Sequence, residues 1–244
     1  MSSKTERKRE MEHMIQLSKR LEAIVKLAGT CHCVADVGTD HGYIPIYMTE
    51  HHLTEKAIAM DVNKGPLERA QRNIRAYRME QQITTRLSDG VAKLKAMEAD
   101  CVIIAGMGGL LTIRILEAGK EILTTVPAMI LQPQSEIGQV RKFLAEHGYR
   151  ITAEDMVLDE GKYYPMMRVE HGSQEEWTEQ EYAFGKYLIV SDNPVLLEFL
   201  EKEEKLCGEI LQSLKGKSGE HIEKRRGEIL ERQELVRLAK EQMR

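Results

Sequence analysis

Apolar positions along the chain change their period several times, and each change marks an element. In MIQLSKRLEAIVKLA, from Met14 to Ala28, residues Ile15, Leu17, Leu21, Ile24, Val25 and Ala28 recur near helical spacing and predict an amphipathic first helix. The texture then shortens. CVADVG, AIAMD, ITTRL, CVIIAGMGG and AMILQP are brief, nearly continuous apolar runs bounded by turn-forming residues, which is how strands buried on both faces read. Helical segments are expected between them, and strands alternating with helices predict a parallel sheet covered on both sides. GYRITAEDMVLDEGKYYPMMRVEH follows as two strand-like runs joined by Asp159-Glu160-Gly161-Lys162, a hairpin signal with no helix between.

Beyond His171 the pattern becomes long, charged and helical. Asn193-Pro194 supplies an N-cap and a first-turn proline for a helix through VLLEFLEKEEKLCGEILQSL. Gly216 and Gly219 break it, and a last helix from about Ile222 carries Ile222, Ile229, Val236 and Met243 seven residues apart. Such a narrow stripe on two consecutive helices predicts an antiparallel helical hairpin or short coiled coil. A helix of about 20 residues is roughly 30 Å long, enough to lie along one arm of a folded RNA; a solvated cap is the alternative. The expected division is 1–170 for an α/β domain with its N-terminal helix and 171–244 for a helical C-terminal domain.

Five βα units closed by an antiparallel hairpin match the Rossmann-like sheet of class I methyltransferases, whereas a dinucleotide-binding fold would continue in parallel units. Composition narrows the setting. With 42% apolar and 30% charged residues and no apolar run near 18, the chain reads as globular with no membrane span. MSSKTERKRE has none of the apolar stretch of a signal peptide, so the cytoplasm is the expected compartment. Cys31, Cys33, Cys101 and Cys207 are then expected as thiols, and Cys31-His32-Cys33 has no second ligand pair at usable spacing, so no metal site is expected. The net charge of -4 argues at first against a nucleic-acid partner. That deficit lies wholly in residues 171–244, which hold 12 Lys+Arg against 16 Asp+Glu, and the rest of the chain balances.

In an open α/β sheet, ligands bind beyond the carboxyl ends of the strands. Asp36-Val37-Gly38-Thr39-Asp40-His41-Gly42-Tyr43 lies there after the first strand, and it lacks the G-x-G-x-x-G spacing that admits a pyrophosphate. Its carboxylates suit a ligand with an ammonium and a cationic sulfonium, which describes S-adenosylmethionine; Gly38 and Gly42 let the backbone pass close. Asp61, with Val62 and Asn63, closes the second strand where an acid can accept from two ribose hydroxyls. Asp89 follows the third, placed to accept from an adenine amino group, with Gly90 leaving room for the ring. Each acid alone is more readily a loop cap; three past three successive strands are harder to assign to capping. After the fourth strand, Gly106-Met107-Gly108-Gly109 offers an open loop that could admit a flat base to free backbone amides, or is a tight strand-to-helix turn. Gln132-Pro133-Gln134, after the fifth, brings side-chain amides suited to reading a base edge.

DVGTDHGYIP, AMDVNKGPLERAQRNI, RLSDG, IIAGMGG and ILQPQSEIGQVRKFL, in that order and with KYYPMMRVE beyond them, resemble the bacterial tRNA adenine-22 N1-methyltransferase family, TrmK. The resemblance is strong from Met14 to Glu170 and weak in the tail. It implies methyl transfer from S-adenosyl-L-methionine to N1 of adenine 22 in the D-arm of tRNA. The N1 lone pair lies in the ring plane and attacks without first losing a proton, so alignment is expected to dominate, with roughly 7–11 kcal/mol as the upper scale for such positioning. N1 is on the Watson–Crick edge, so the base must be unpaired or turned out. Asp40 is expected to stabilise the cationic product, His41 to bond the substrate or hold the loop, and Tyr43 and Tyr163 to stack or to pack.

Arg69, Arg72, Arg75 and Arg78 recur every three residues as a phosphate track or a solvated helix face, with Lys19, Arg20 and the Lys4 to Arg9 cluster as a second set. No obligate protein partner is inferred. Two rivals share the cofactor loops: a methyltransferase acting on a small molecule or protein, and a binding module without catalysis.

Overall fold

The computed structural model describes residues 15–243. The Lys4 to Arg9 cluster lies outside them, as do Met14 and Arg244. Among the described residues seven strands form one sheet in the order β3-β2-β1-β4-β5-β7-β6. Strands β1 (Cys31–Val37), β2 (Thr54–Asp61), β3 (Ile83–Leu87), β4 (Cys101–Met107) and β5 (Ala128–Pro133) are parallel. β7 (Lys162–His171) inserts antiparallel between β5 and β6 (Tyr149–Asp159). Every strand predicted from the apolar runs is present, and so is the hairpin. Glu160 (φ 48°) and Gly161 (φ 76°) make its two-residue turn with both centres left-handed, the geometry that matches strand twist.

The helices are α1 (Lys19–Ala28), α2 (Tyr43–Glu50), α3 (Lys64–Ala76), α4 (Gly109–Ala118), α5 (Lys120–Leu123), α6 (Ile137–Glu146), α7 (Glu179–Phe184), α8 (Lys186–Val190), α9 (Pro194–Ser213) and α10 (Glu220–Gln242). Successive strand residues point to opposite faces, and the core divides accordingly. Ala35, Val37, Ile58, Met60, Val102 and Ile104 pack with α4 to α6. Val34, Ala57, Ala59, Ile103 and Ile130 pack with α1 to α3.

Two expectations are corrected. The first helix starts at Lys19, not Met14, because Ser18 is extended (φ -67°, ψ 160°) and caps it, its hydroxyl accepting the Leu21 N–H; Ile15 and Leu17 are buried from a non-helical lead-in. No helix links β3 to β4. Residues 88–100 run as turns, with Gly90 and Met97 left-handed, while Val91 and Leu94 reach the core and Arg86 and Glu98 pair at 2.7 Å. The Arg86 guanidinium holds the Glu98 carboxyl down to about 2.

The predicted helical hairpin is α9 against α10. Asn193 Oδ1 accepts from Val195 and Leu196 N–H ahead of Pro194, and Arg232–Glu203 and Lys240–Glu204 bridge the helices at 2.7 Å each. Ile229 and Val236 of the seven-residue stripe are buried, while Ile222 and Met243 are half-buried. The base of the hairpin is docked: Leu196, Leu200, Val236 and Ala239 join Phe184, Leu188 and Ile189 against Met156 of β6. No helix among the described residues is long and apolar enough to cross a membrane.

Candidate active site

Strand parity places the polar groups at the sheet's carboxyl edge. Asp36 follows Ala35 and precedes Val37, both of which face α4 to α6, so its side chain turns toward α1 to α3. The same alternation turns Asp61 and Gln132 that way. Arg20 approaches from α1. Its Nη1 donates to Gln132 Oε1 (3.1 Å), its backbone N–H to Asp159 Oδ2 (3.1 Å), and its guanidinium lies 5.4 Å over the Tyr164 ring.

Of these groups, Arg20 and Asp36 border a cavity of about 380 Å³ whose wall also includes Gly38, Asp40, His41, Tyr43, Gly106 and Gln134. Gly106 is left-handed (φ 77°), and a side chain there would meet Arg20 Nη1 at 3.2 Å and Gln134 Nε2 at 3.8 Å. Burial pushes the Asp36 carboxyl up to about 6, and the Asp61 charge adds to that. The Thr39 hydroxyl and Arg20 oppose it, although the hydroxyl meets no partner with full hydrogen-bond geometry. A cation placed beside Asp36 would complete this arrangement. At the rim, Asp40 pairs with Arg69 of α3 (2.8 Å) and lies 3.5 Å from His41 Nε2; His41 stacks on Tyr43, and its carbonyl accepts from Asn73. Gly42 starts α2 in left-handed geometry against Ala70.

The other predicted residues fall outside that wall. Asp61 Oδ1 accepts the Asn63 N–H (2.7 Å), with Val62 exposed beside it. Asp89 and Gly90 line a separate cavity of about 170 Å³ against Ile115 of α4. The Met107 side chain lies against Gly38, in the space a Cβ there would need.

At Gly109 the geometry follows the tight-turn alternative rather than a free backbone amide. α4 begins at Gly109, the Gly109 N–H donates to Ser135 Oγ (3.3 Å), and the Ser135 carbonyl leaves no room for a Cβ. This is a tight strand-to-helix turn, and Gly106 alone of the three glycines borders the cavity. Gln132 is 1% exposed and serves Arg20, while Gln134 is the amide on the wall. Arg69 is committed to Asp40, and Arg78 lies past the end of α3 at φ 58°, which leaves Arg72 and Arg75 as exposed cations of the proposed track on the helix. Tyr163 packs on Phe199, with its hydroxyl donating to Glu198 (2.7 Å).

Arg20 is the site residue that the sequence reading assigned elsewhere, to a phosphate surface with Lys19. A signal was present: Arg20 precedes Ile24 and Ala28 by four and eight positions, so it lies on the buried stripe of α1.

A family model described as tRNA (adenine(22)-N(1))-methyltransferase, TrmK, matches residues 34–237. The chain belongs to the TrmK family. A Bacillus subtilis tRNA (adenine(22)-N(1))-methyltransferase is 35% identical over 161 residues, 66% of this chain and 68% of its own. A Streptococcus pneumoniae structure in complex with S-adenosyl-L-methionine superposes with a TM-score of 0.82 at 31% identity, covering 92% of this chain and 99% of that one. M. capricolum TrmK in complex with S-adenosyl-homocysteine gives 0.82 at 28%, covering 95% and 100%. The matched span contains all the strand-end loops and most of the helical hairpin, so the docked tail is part of the TrmK architecture; α1 and Arg20 precede it.

Proposed function

We propose that the chain transfers a methyl group from S-adenosyl-L-methionine to N1 of adenine 22 in tRNA, at the cavity bordered by Asp36, Arg20 and Gly106. The observation that carries this is the buried Asp36, its carboxyl raised by desolvation, at one cavity wall with a left-handed glycine in a chain of this family. The cofactor supplies an electrophilic methyl on a cationic sulfonium. Asp36, Gly38, Thr39, Gly42 and Tyr43 would hold its amino-acid end, with Asp36 facing the ammonium. Asp61, Val62 and Asn63 would take the ribose, and Asp89 and Gly90 the adenine. Gly106 and Gln134 would receive the target base, with Asp40 and His41 at its edge. Because N1 reacts through its own lone pair, these residues act by placement and exclusion of water rather than by proton abstraction. Residues 1–170 would form the catalytic domain and 171–244 a helical domain that orients the tRNA, with Lys19, Arg72, Arg75 and Arg78 toward phosphates. The reaction belongs in the cytoplasm with its tRNA.

Incubation with labelled cofactor and an unmodified transcript bearing adenine at position 22, followed by nucleoside digestion, is expected to yield 1-methyladenosine. A transcript with guanine there should yield none. Cofactor binding without methylation of either RNA would overturn the substrate and favour the small-molecule or protein rival.

The Asp36 carboxyl also sets a pH dependence. A proton and a cationic ligand compete for the same group, so the ionised form is the binding form. Cofactor affinity is expected to rise as pH increases through about 6, by up to about tenfold per unit below it, and to level off above. Calorimetric titration between pH 5 and 8 reads this; an equally steep profile in Asp36→Asn would remove Asp36 from the role.

A further inference from the structure

The largest cavity described, about 520 Å³, is not the one at Gly106. It lies between the start of α6 and the C-terminal helices, floored by Met156 and Pro165 and walled by Phe184 and Phe199. The two cavities share one residue, Gln134, whose amide stands 3.8 Å from the Cβ position of Gly106.

We propose that this groove takes a second nucleobase of the tRNA, the immediate neighbour of the target adenine, stacked on Tyr163; the proposal rests on the substrate reading above. Three observations support that occupant. The groove opens beside the target site across a single side chain, so a strand that turns one base toward Gly106 presents the next one to it. Flat rings stand beside amides, with Tyr163 set edge-on to Phe199 at 5.2 Å and Gln134 and Gln139 on the wall, a pairing that stacks a base and addresses its edge. Cations flank the aromatics: Lys202 is 4.9 Å over Tyr163, and Arg232, paired with Glu203, is 4.5 Å over Phe184. The facing acids are engaged as well, Glu198 by the Tyr163 hydroxyl, Glu136 by Ser135, and Glu154 by Arg141.

Tyr163→Leu removes the flat ring, and Gln139→Trp fills the groove from an exposed position on α6; neither touches the cavity at Gly106. Methylation would be compared on the intact transcript and on transcripts abasic at either neighbour of the target adenine, with cofactor affinity measured in parallel. For the wild type, one abasic transcript should lose about five- to a hundredfold in kcat/KM, the range that base–aromatic stacking spans. Both variants should lose a similar factor on the intact RNA, with unchanged cofactor affinity, and no longer distinguish it from that abasic transcript. Two variants that methylate the intact transcript like the wild type, or that keep the full abasic penalty, overturn the groove as a base site, as would a groove that serves a protein. Failure of the wild type to methylate any transcript would instead overturn the substrate reading.

Discussion

Arg141→Met is expected to destabilise the protein by about 3–5 kcal/mol, the scale for breaking a buried ion pair by removing one partner. Arg141 is 1% exposed and Glu154 fully enclosed, with Nε donating to Glu154 Oε1 at 2.8 Å. Nη1 also donates to the carbonyls of Tyr182 (3.0 Å) and Ala183 (3.2 Å), and Glu154 Oε2 accepts the Tyr187 N–H (3.1 Å). Nη2 lies 2.8 Å from Oε1 without hydrogen-bond geometry. One guanidinium and one carboxylate therefore join α6 and β6 to α7 and α8, and Gly185 fits between them because a Cβ would come within 2.8 Å of both. Burial raises the Glu154 carboxyl and Arg141 opposes it. In the variant that opposition is gone. Glu154, raised already, then binds its proton still more tightly folded than unfolded, so stability falls more steeply as pH rises through the usual carboxylate range toward the folded value. The deficit should be full where the buried carboxyl would otherwise ionise and smaller under acid. Urea midpoints at pH 7 and pH 5 test this, and Arg141→Met/Glu154→Leu should recover part of the loss. A single variant within about 0.5 kcal/mol of wild type would show that the pair does not hold the tail.

The sheet was legible because its signals are local. Five apolar runs, the Asp159 to Lys162 turn and the Asn193-Pro194 cap each fall within a few residues of the structure they form. The missing helix between β3 and β4 was less so, since a helix was expected from the strand alternation alone while the crossover closes on Arg86–Glu98. The site was legible as a set of loops but not as a constellation. Asp36, Asp40 and Gly106 follow from strand ends. That Gln132 serves Arg20, and that Gly109 is closed by Ser135, depends on contacts 112 and 26 residues apart, which no window of sequence contains.

Arg20→Ala is expected to weaken cofactor binding by about ten- to a hundredfold, the range for a lost hydrogen bond to a charged group. S-adenosyl-L-methionine carries a carboxylate beside its ammonium, and an Arg20–Asp36 pair of opposite charges at one cavity wall offers each a partner. Tyr164, Gln132 and Asp159 hold Arg20 in place, so little ordering is left for the moment of binding. Arg20→Lys should restore only part of the affinity, because an ammonium cannot donate in parallel to a carboxylate and to Gln132 from one planar fork. A purely structural role would also weaken binding, so the discriminating readout is the pH profile. Arg20 lowers the Asp36 carboxyl, and its removal should move the midpoint of cofactor binding upward from about 6. 5′-Methylthioadenosine, which has neither carboxylate nor ammonium, should bind the wild type and Arg20→Ala alike. Equal losses for both ligands, with an unmoved midpoint, would place Arg20 in the scaffold of α1 and return the cofactor's carboxylate to another partner.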